Sequence, residues 1–130
     1  MPHLQFEINK KISDSQKMRF IKFATNKFSE IMKTGTAHIA ISLREIGKNN
    51  ISLGRANEGE SVCLMNLDIR KGRSKEQITK LVRTYIDSIQ ENFGIKISNQ
   101  YVTITEHSGE DFQLYEGCLK NYKIGDDPLG

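Results

Sequence analysis

Cysteine, proline and tryptophan are scarce in this sequence. Its 130 residues include two cysteines, two prolines and no tryptophan. Two cysteines are too few for the disulfide framework of small secreted domains, so we predict that Cys63 and Cys118 are free thiols. No apolar run approaches the ~20 residues that a membrane helix needs, and no signal-peptide pattern stands at the start of the sequence. We therefore expect a cytoplasmic location and no membrane partner.

A large excess of one charge is also missing. Nineteen Lys and Arg residues against sixteen Asp and Glu residues leave a net charge of +3, without a polybasic block. Nucleic acid is therefore not a predicted partner, whereas a small anionic ligand is. The three histidines (His3, His38 and His107) lack metal-ligand spacing, so we predict no metal site. With 37% apolar and 27% charged residues, the sequence predicts one compact folded domain.

The spacing of apolar residues predicts strands that alternate with helices. Residues 3–8 alternate between apolar and polar, which is typical of a strand with one buried face. From the N-cap residue Ser13 onward, apolar residues recur at three- and four-residue spacings until the breaker Gly35. They are Met18, Phe20, Ile21, Phe28, Ile31 and Met32. The other predicted elements are strands at 39–43, 62–70 and 101–105, a helix at 74–92, and a C-terminal hairpin with a tail at 107–130.

The second half of the chain repeats the first at an offset of 61 residues. This offset pairs Ile8 with Ile69, Ser13 with Ser74, Gln16 with Gln77, Ile41 with Val102, and Glu45 with Glu106. The sequence therefore predicts an α+β fold of two βαβ units, at 1–46 and 62–106, in one domain. Right-handed crossovers would form a four-stranded sheet with both helices on one face. The opposite face would carry a mixture of residues that suits a subunit junction: Gln5, Glu7, Ala40, Ser42, Leu64, Asn66, Tyr101 and Thr103.

Two features of the sequence carry candidate chemistry. Pro2 follows Met1, whose removal would leave a secondary amine at the start of a strand. Burial and nearby cations favour the neutral form of such an amine, which can then act as a general base. Arg70 and Arg73 lie in a turn between a predicted strand and a predicted helix, where guanidinium and helix N–H groups can bind a carboxylate.

The repeat distributes these two features unequally. Pro2 corresponds to Cys63 in the second half, and Arg73 corresponds to Ile12 in the first. The first half therefore keeps the amine, and only the second half keeps the turn arginine. We expect one complete site per chain, assembled from both halves.

From Pro2 through residues 70–77 to residues 102–106, the chain resembles the tautomerase superfamily. This superfamily includes 4-oxalocrotonate tautomerase (4-OT), cis-3-chloroacrylic acid dehalogenase, malonate semialdehyde decarboxylase and macrophage migration inhibitory factor. Its small members carry an amino-terminal proline and a turn like Gly72-Arg73-Ser74. The resemblance implies a fused double-βαβ member, a homotrimer, and chemistry without a metal or an organic cofactor.

The resemblance also implies an activity, namely keto-enol tautomerisation of a small 2-oxo or unsaturated carboxylic acid. In that reaction Pro2 moves the proton, Arg73 holds the carboxylate and Arg70 stabilises the enolate oxygen. Tyr101 falls at the position of an arginine of the small tautomerases and is a candidate hydrogen-bond donor to the substrate. Phe112 matches an apolar wall of their pocket.

The chain departs from the dehalogenase pattern at three positions. Phe28, Thr103 and Leu114 stand where that resemblance requires a histidine, a tyrosine and a water-activating glutamate. Hydration, decarboxylation or dehalogenation of a three-carbon acid, with Pro2 as a general acid, is the alternative reaction. A non-catalytic binding or signalling protein is a second alternative. An RNA-binding sheet of the same element order is a third, for which the central strands offer only Tyr101 as an exposed aromatic residue.

Overall fold

A four-stranded sheet and two helices make up most of the chain. In the computed structural model, which describes residues 2–123, the strands of this sheet are β1 (His3–Ile8), β2 (Ala40–Glu45), β3 (Cys63–Arg70) and β4 (Gln100–His107). The helices are α1 (Asp14–Met32) and α2 (Lys75–Phe93). Two short strands, β5 (Gln113–Leu114) and β6 (Gly117–Cys118), pair in a separate hairpin. Gly125 and Pro128 of the predicted tail lie outside the described residues.

The order of strands in the larger sheet is β2-β1-β3-β4. The outer pairs are parallel, and partner residues are 37 positions apart in both, as in His3 with Ala40 and Cys63 with Gln100. The central pair, β1 and β3, is antiparallel, and Gln5 pairs with its own repeat equivalent Asn66. A pseudo-twofold axis therefore passes between these two residues. This arrangement confirms the predicted fold of two βαβ units in one sheet.

Both helices follow a serine N-cap, which the sequence predicted at Ser13 and which the repeat places again at Ser74. Ser13 and Ser74 each form a capping box with the glutamine three residues later. The same glutamines also join the two helices: Gln16 Nε2 donates to the Asn92 carbonyl and Gln77 Nε2 donates to the Ile31 carbonyl, each at 3.0 Å. The repeated sequence therefore produces repeated contacts between the halves.

Two details of the predicted first helix are wrong. α1 ends at Met32, before Gly35, because Lys33 takes up the left-handed conformation (φ 55°) and its N–H donates to the Ser29 carbonyl. Met18 does not join the core, since its side chain is 71% exposed. It precedes the buried Phe20 by two residues, about 200° around the helix, and so lies on the opposite side.

The hydrophobic core fills the space between the helices and one face of the sheet. Phe6 of β1 and Phe20 of α1 meet edge to face at 5.0 Å between ring centroids. The fully buried Tyr85 of α2 donates its hydroxyl hydrogen to the Ala24 carbonyl at 2.7 Å, which satisfies that polar group inside the core. The eight residues predicted for the opposite sheet face are all exposed or half-buried. No helix in residues 2–123 has the length and apolar character to cross a membrane.

Candidate active site

Pro2, Arg70 and His107 lie at one end of the sheet. In the antiparallel central pair His3 lies opposite Asp68, so the register extended by one residue brings Pro2 beside Ile69, next to Arg70. Arg70 pairs with His107 across β3 and β4. Pro2 is buried, and its carbonyl accepts a hydrogen bond from the Ala40 N–H at 3.1 Å. Both halves of the chain therefore contribute residues to this end of the sheet.

Arg70 is almost completely buried, with 1% of its surface exposed. Its Nη1 donates to the Lys120 carbonyl at 2.6 Å. The guanidinium carbon also lies 5.8 Å from the centre of the Tyr122 ring. Burying a charged group is costly unless it is hydrogen-bonded, and here C-terminal residues supply a bond and an aromatic neighbour.

Arg73 lies between aromatic rings on the helix side of the sheet. Its side chain is buried, and its guanidinium carbon stands 3.7 Å from the centroid of Tyr122 and 5.9 Å from that of Phe28. Arg73 Nη2 donates to the Met32 carbonyl at 3.4 Å, at the end of α1. Phe28, where the dehalogenase pattern requires a histidine, is therefore an apolar wall beside this arginine.

A C-terminal strap, which we define as residues 119–122, lies over the turn that carries both arginines. The Tyr122 N–H donates to the Lys71 carbonyl at 2.8 Å. The Tyr122 hydroxyl donates to the Lys33 carbonyl at 3.2 Å. Gly72 makes this approach possible, because it has a φ of +122° and a Cβ there would lie 2.1 Å from the Tyr122 carbonyl oxygen. Sequence reasoning missed the strap, for which Gly72 between the arginines was a local signal.

A histidine–aspartate pair lies beside Arg70, and sequence reasoning missed it as well. His107 Nε2 is 2.9 Å from Asp68 Oδ1, and Asp68 Oδ2 accepts a hydrogen bond from Asn66 Nδ2 at 3.1 Å. The spacing of histidines in the sequence gave no hint of this pair, because strand pairing creates it. Within residues 2–123, no group of three or more His, Cys, Asp or Glu side chains is placed to hold a metal ion.

The other two predicted binding residues, Phe112 and Tyr101, lie at different ends of β4. Phe112 packs edge-on against the His107 ring at 5.5 Å and is therefore close to Arg70. Tyr101 pairs with Leu64 and precedes His107 by six residues along β4. That separation is about 20 Å along a strand. A single chain therefore brings Phe112, but not the 56% exposed Tyr101, towards the arginines.

Cys63, the repeat equivalent of Pro2, is a packed side chain. Burial raises the pKa of its thiol to about 12, with a smaller contribution from the charge of Glu7. A thiol in this environment stays protonated and unreactive near neutral pH. Cys118 is exposed, and both cysteines are free thiols, as predicted.

Solved structures of similar proteins identify the fold of this chain. One is a fused 4-OT in the form of a symmetric trimer, with a TM-score of 0.80 and 19% identity over 90% of this chain and 97% of that chain. A macrophage migration inhibitory factor-like protein from Entamoeba histolytica has a TM-score of 0.73 and 17% identity over 91% and 98% of the two chains. A member of the cis-3-chloroacrylic acid dehalogenase family has a TM-score of 0.74 and 17% identity over 90% and 84%.

The chain therefore has the tautomerase fold, as the resemblance in its sequence predicts. No protein-family model matches the sequence, and no curated protein matches it significantly. With identities of 17% to 19%, the similarity to these proteins establishes the fold and leaves the residue roles to be argued from the site.

Proposed function

We propose that this protein is a tautomerase that needs no cofactor and moves a proton on a small 2-oxo or unsaturated carboxylic acid. The observation that supports the proposal is the register of β1 and β3, which brings Pro2, from one half, next to the strand end that carries Arg70 and leads into Arg73, from the other. A base beside two buried cations is the minimum that this reaction requires. Structures with the same fold support the substrate class, since they include a malonate semialdehyde decarboxylase inhibited by 3-bromopropiolate.

Pro2 is the proposed base. Once Met1 is removed, its nitrogen is a secondary amine at a buried position close to cationic side chains. Both conditions disfavour protonation of the amine. The neutral nitrogen can then take the proton of the enol hydroxyl group, which leaves an enolate, and return it to the carbon next to the carbonyl group that forms.

The two arginines are the proposed partners of the negative charges on the substrate. Arg73 binds the carboxylate in the ground state, and Arg70 meets the charge that develops on the enolate oxygen. Because both guanidiniums are already buried and oriented, little reorganisation is needed as the transition state forms. Phe112 would form an apolar wall of the same pocket.

We extend the proposal to a homotrimer. A structure of the same fold, the fused 4-OT, is a symmetric trimer, and the open sheet face of this chain mixes polar residues with Leu64 and Tyr101. A role for Tyr101 in substrate binding requires another subunit to bring it to the arginines. Sedimentation equilibrium should give three times the chain mass, and a stable monomer would contradict this part of the proposal. The cytoplasmic location stays a prediction from the sequence.

A hydratase of a small unsaturated acid is the second candidate. The pair formed by His107 and Asp68 beside Arg70 favours it, because a carboxylate-oriented imidazole can activate water. In that reaction Pro2 would be protonated and act as the acid. An NMR titration of the Pro2 nitrogen separates the two candidates: a pKa below neutral favours tautomerisation, and a pKa well above neutral favours hydration.

Blocking the Pro2 amine tests the proposed function directly. Protein that begins at Pro2, verified by intact mass, is compared with protein that keeps one additional residue before it. The assay is ketonisation of an enol such as phenylenolpyruvate. The blocked protein should lose at least ~10²-fold in rate, the lower end of the contribution of a general base, because an amide nitrogen is not basic.

A matched control keeps the amine and changes the residue. Pro2→Ala leaves a primary amine in nearly the same place, so part of the activity should survive. If the blocked and unblocked proteins turn over the enol equally fast, Pro2 is not the base. A binding or signalling protein would then be the better interpretation.

A further inference from the structure

We infer that Tyr122 is a positioning residue of the arginine site: its ring fixes the plane of the Arg73 guanidinium for in-plane binding of a carboxylate. The guanidinium carbon lies 3.7 Å from the ring centroid, well inside the range of a cation–π contact. The inference rests on the proposed function, which assigns carboxylate binding to Arg73. Neither the periodicity of the sequence nor its motifs point to Tyr122.

The two faces of a guanidinium and its edge have different uses. An aromatic ring stacks on a face, whereas a carboxylate binds two N–H groups in the plane of the edge. Tyr122 therefore holds the orientation of Arg73 without occupying the direction from which a carboxylate binds. A donor whose plane is fixed beforehand loses less conformational entropy when the ligand arrives.

Hydrogen bonds from both the backbone and the hydroxyl group of Tyr122 hold its ring in place. Its N–H donates to the Lys71 carbonyl in the arginine turn, and its hydroxyl donates to the Lys33 carbonyl at the end of α1. Only 4% of Tyr122 is exposed. The residue therefore joins the first half of the chain to the turn of the second half, and Arg73 lies between them.

The strap serves both arginines by different contacts. The Lys120 carbonyl accepts a hydrogen bond from Arg70. The Tyr122 ring lies 3.7 Å from the guanidinium carbon of Arg73 but 5.8 Å from that of Arg70, so its contact with Arg73 is the closer one. Removing the ring should therefore change the binding of the carboxylate, which is the role of Arg73. It should leave the rate of the bound complex, which depends on Arg70 and Pro2, almost unchanged.

The test compares Tyr122→Leu with Tyr122→Phe. Tyr122→Leu removes the ring and should raise KM for the enol roughly 3- to 30-fold, the range of a buried cation–π contact, with kcat within twofold. Tyr122→Phe keeps the ring, loses only the bond to Lys33, and should bring KM back to near the wild-type value. A Phe variant as impaired as the Leu variant would overturn the inference, because the ring would then be irrelevant.

A double-mutant cycle with Arg73→Lys shows whether the ring acts through the guanidinium. A lysine ammonium has no plane to orient, so Tyr122→Leu should add little to the KM of the Arg73→Lys protein. If Tyr122→Leu raises KM by the same factor in both backgrounds, Tyr122 acts on the fold in general, and the inference is wrong.

Titration with pyruvate separates this inference from the proposed function, because it needs no turnover. The Nε–H signal of Arg73 is followed by NMR while pyruvate is added to the wild type and to Tyr122→Leu. Weaker pyruvate binding in the variant supports the positioning role even if the protein has no tautomerase activity. Equal binding in the two proteins overturns it even if the activity is present.

The wild type alone provides a measurement if Tyr122→Leu does not fold. Stacking should slow rotation of the Arg73 guanidinium, so that its Nη groups give separate NMR signals. A single averaged signal at low temperature would contradict the inference.

Discussion

The two βαβ halves share one backbone plan and differ at the residues that carry the proposed chemistry. Both have the same strand register, the same capping boxes and the same glutamine contacts between helices. At the equivalents of Pro2 and Arg73, however, the halves carry the buried Cys63 and Ile12. The duplication therefore preserves the geometry twice, while each half carries a different part of the proposed site.

The two strand-to-helix turns are also closed in different ways. In the first half, Glu45 accepts a hydrogen bond from the Ile12 N–H at 3.0 Å and forms an ion pair with Lys17 at 2.9 Å. The hydrogen bond from Lys17 is the main reason that the pKa of Glu45 is lowered. In the second half, the strap covers the turn through contacts with Arg70 and Arg73. The first turn is thus closed by a charged residue of β2, and the second by a segment that lies outside the repeat.

The largest expected effect follows from removing the residues that only the second half has. Arg73→Ala should raise KM for a carboxylate substrate roughly 30-fold or more, because a charge-assisted pair is lost. Arg70→Ala should lower kcat roughly 10²- to 10³-fold, as expected for a donor to a developing oxyanion. Steady-state kinetics on folded variants measure both.

Lys71→Ala is the matched control for the arginine variants. It removes an exposed cation from the same turn and should change neither constant by more than about twofold. Equal effects of all three substitutions would mean that the turn is only a basic surface, and the comparison between the halves would then have no functional content.

The next effect concerns the glycine that lets the strap approach. Gly72→Ala should lower the free energy of unfolding by roughly 2 kcal/mol or more and raise KM, because the new Cβ collides with the Tyr122 carbonyl and φ is positive. Gly59→Ala is the matched control: its φ is +81°, but no atom lies within 4 Å of the added Cβ. Gly59→Ala should lower the free energy of unfolding by only ~1 kcal/mol and leave KM unchanged. If urea unfolding shows that both variants lose the same free energy of unfolding, the strap does not need a glycine at position 72.

The sequence predicts the repeated parts of the molecule and misses the contacts that occur once. Alternation in residues 3–8 and the N-caps Ser13 and Ser74 identify β1 and both helices, because those signals are local. The contact between Tyr122 and Arg73 joins residues about fifty positions apart, in a segment without periodicity. The pair of His107 and Asp68 depends on the register of β3 and β4, which local spacing does not reveal.

A smaller effect tests whether the halves are equivalent in stability. Ser13→Ala and Ser74→Ala should each lower the free energy of unfolding by ~1 kcal/mol, because each removes the side-chain cap of one helix. Urea unfolding measures both. Only Ser74→Ala should also change KM, since Ser74 adjoins Arg73. If the free energies of unfolding of the two variants differ by several kcal/mol, the two halves share a backbone arrangement but not the same stability.

The smallest effect is expected at Glu60, in the segment that links β2 to β3 and has no counterpart in the repeat. Glu60 forms an ion pair with Lys96 and accepts hydrogen bonds from the Asn57 N–H and from Asn99 Nδ2. These contacts, with that of Lys96 the largest, lower the pKa of Glu60 to about 2 from its ordinary value of 4.5.

The sign of the resulting pH dependence follows from that lowered pKa. The folded protein releases this proton more readily than the unfolded chain, so the stabilisation is complete above pH 4.5 and is lost as the pH falls towards 2. Glu60→Gln should therefore unfold at a slightly lower urea concentration than the wild type at pH 6 and at the same concentration near pH 2. Glu58→Gln removes an exposed carboxylate of the same segment and controls for the change in net charge. Because the ion pair faces solvent, the difference should be small and should shrink in high salt. If the difference between the wild type and Glu60→Gln is the same at both pH values, the ionised Glu60 does not hold the linking segment against the second half.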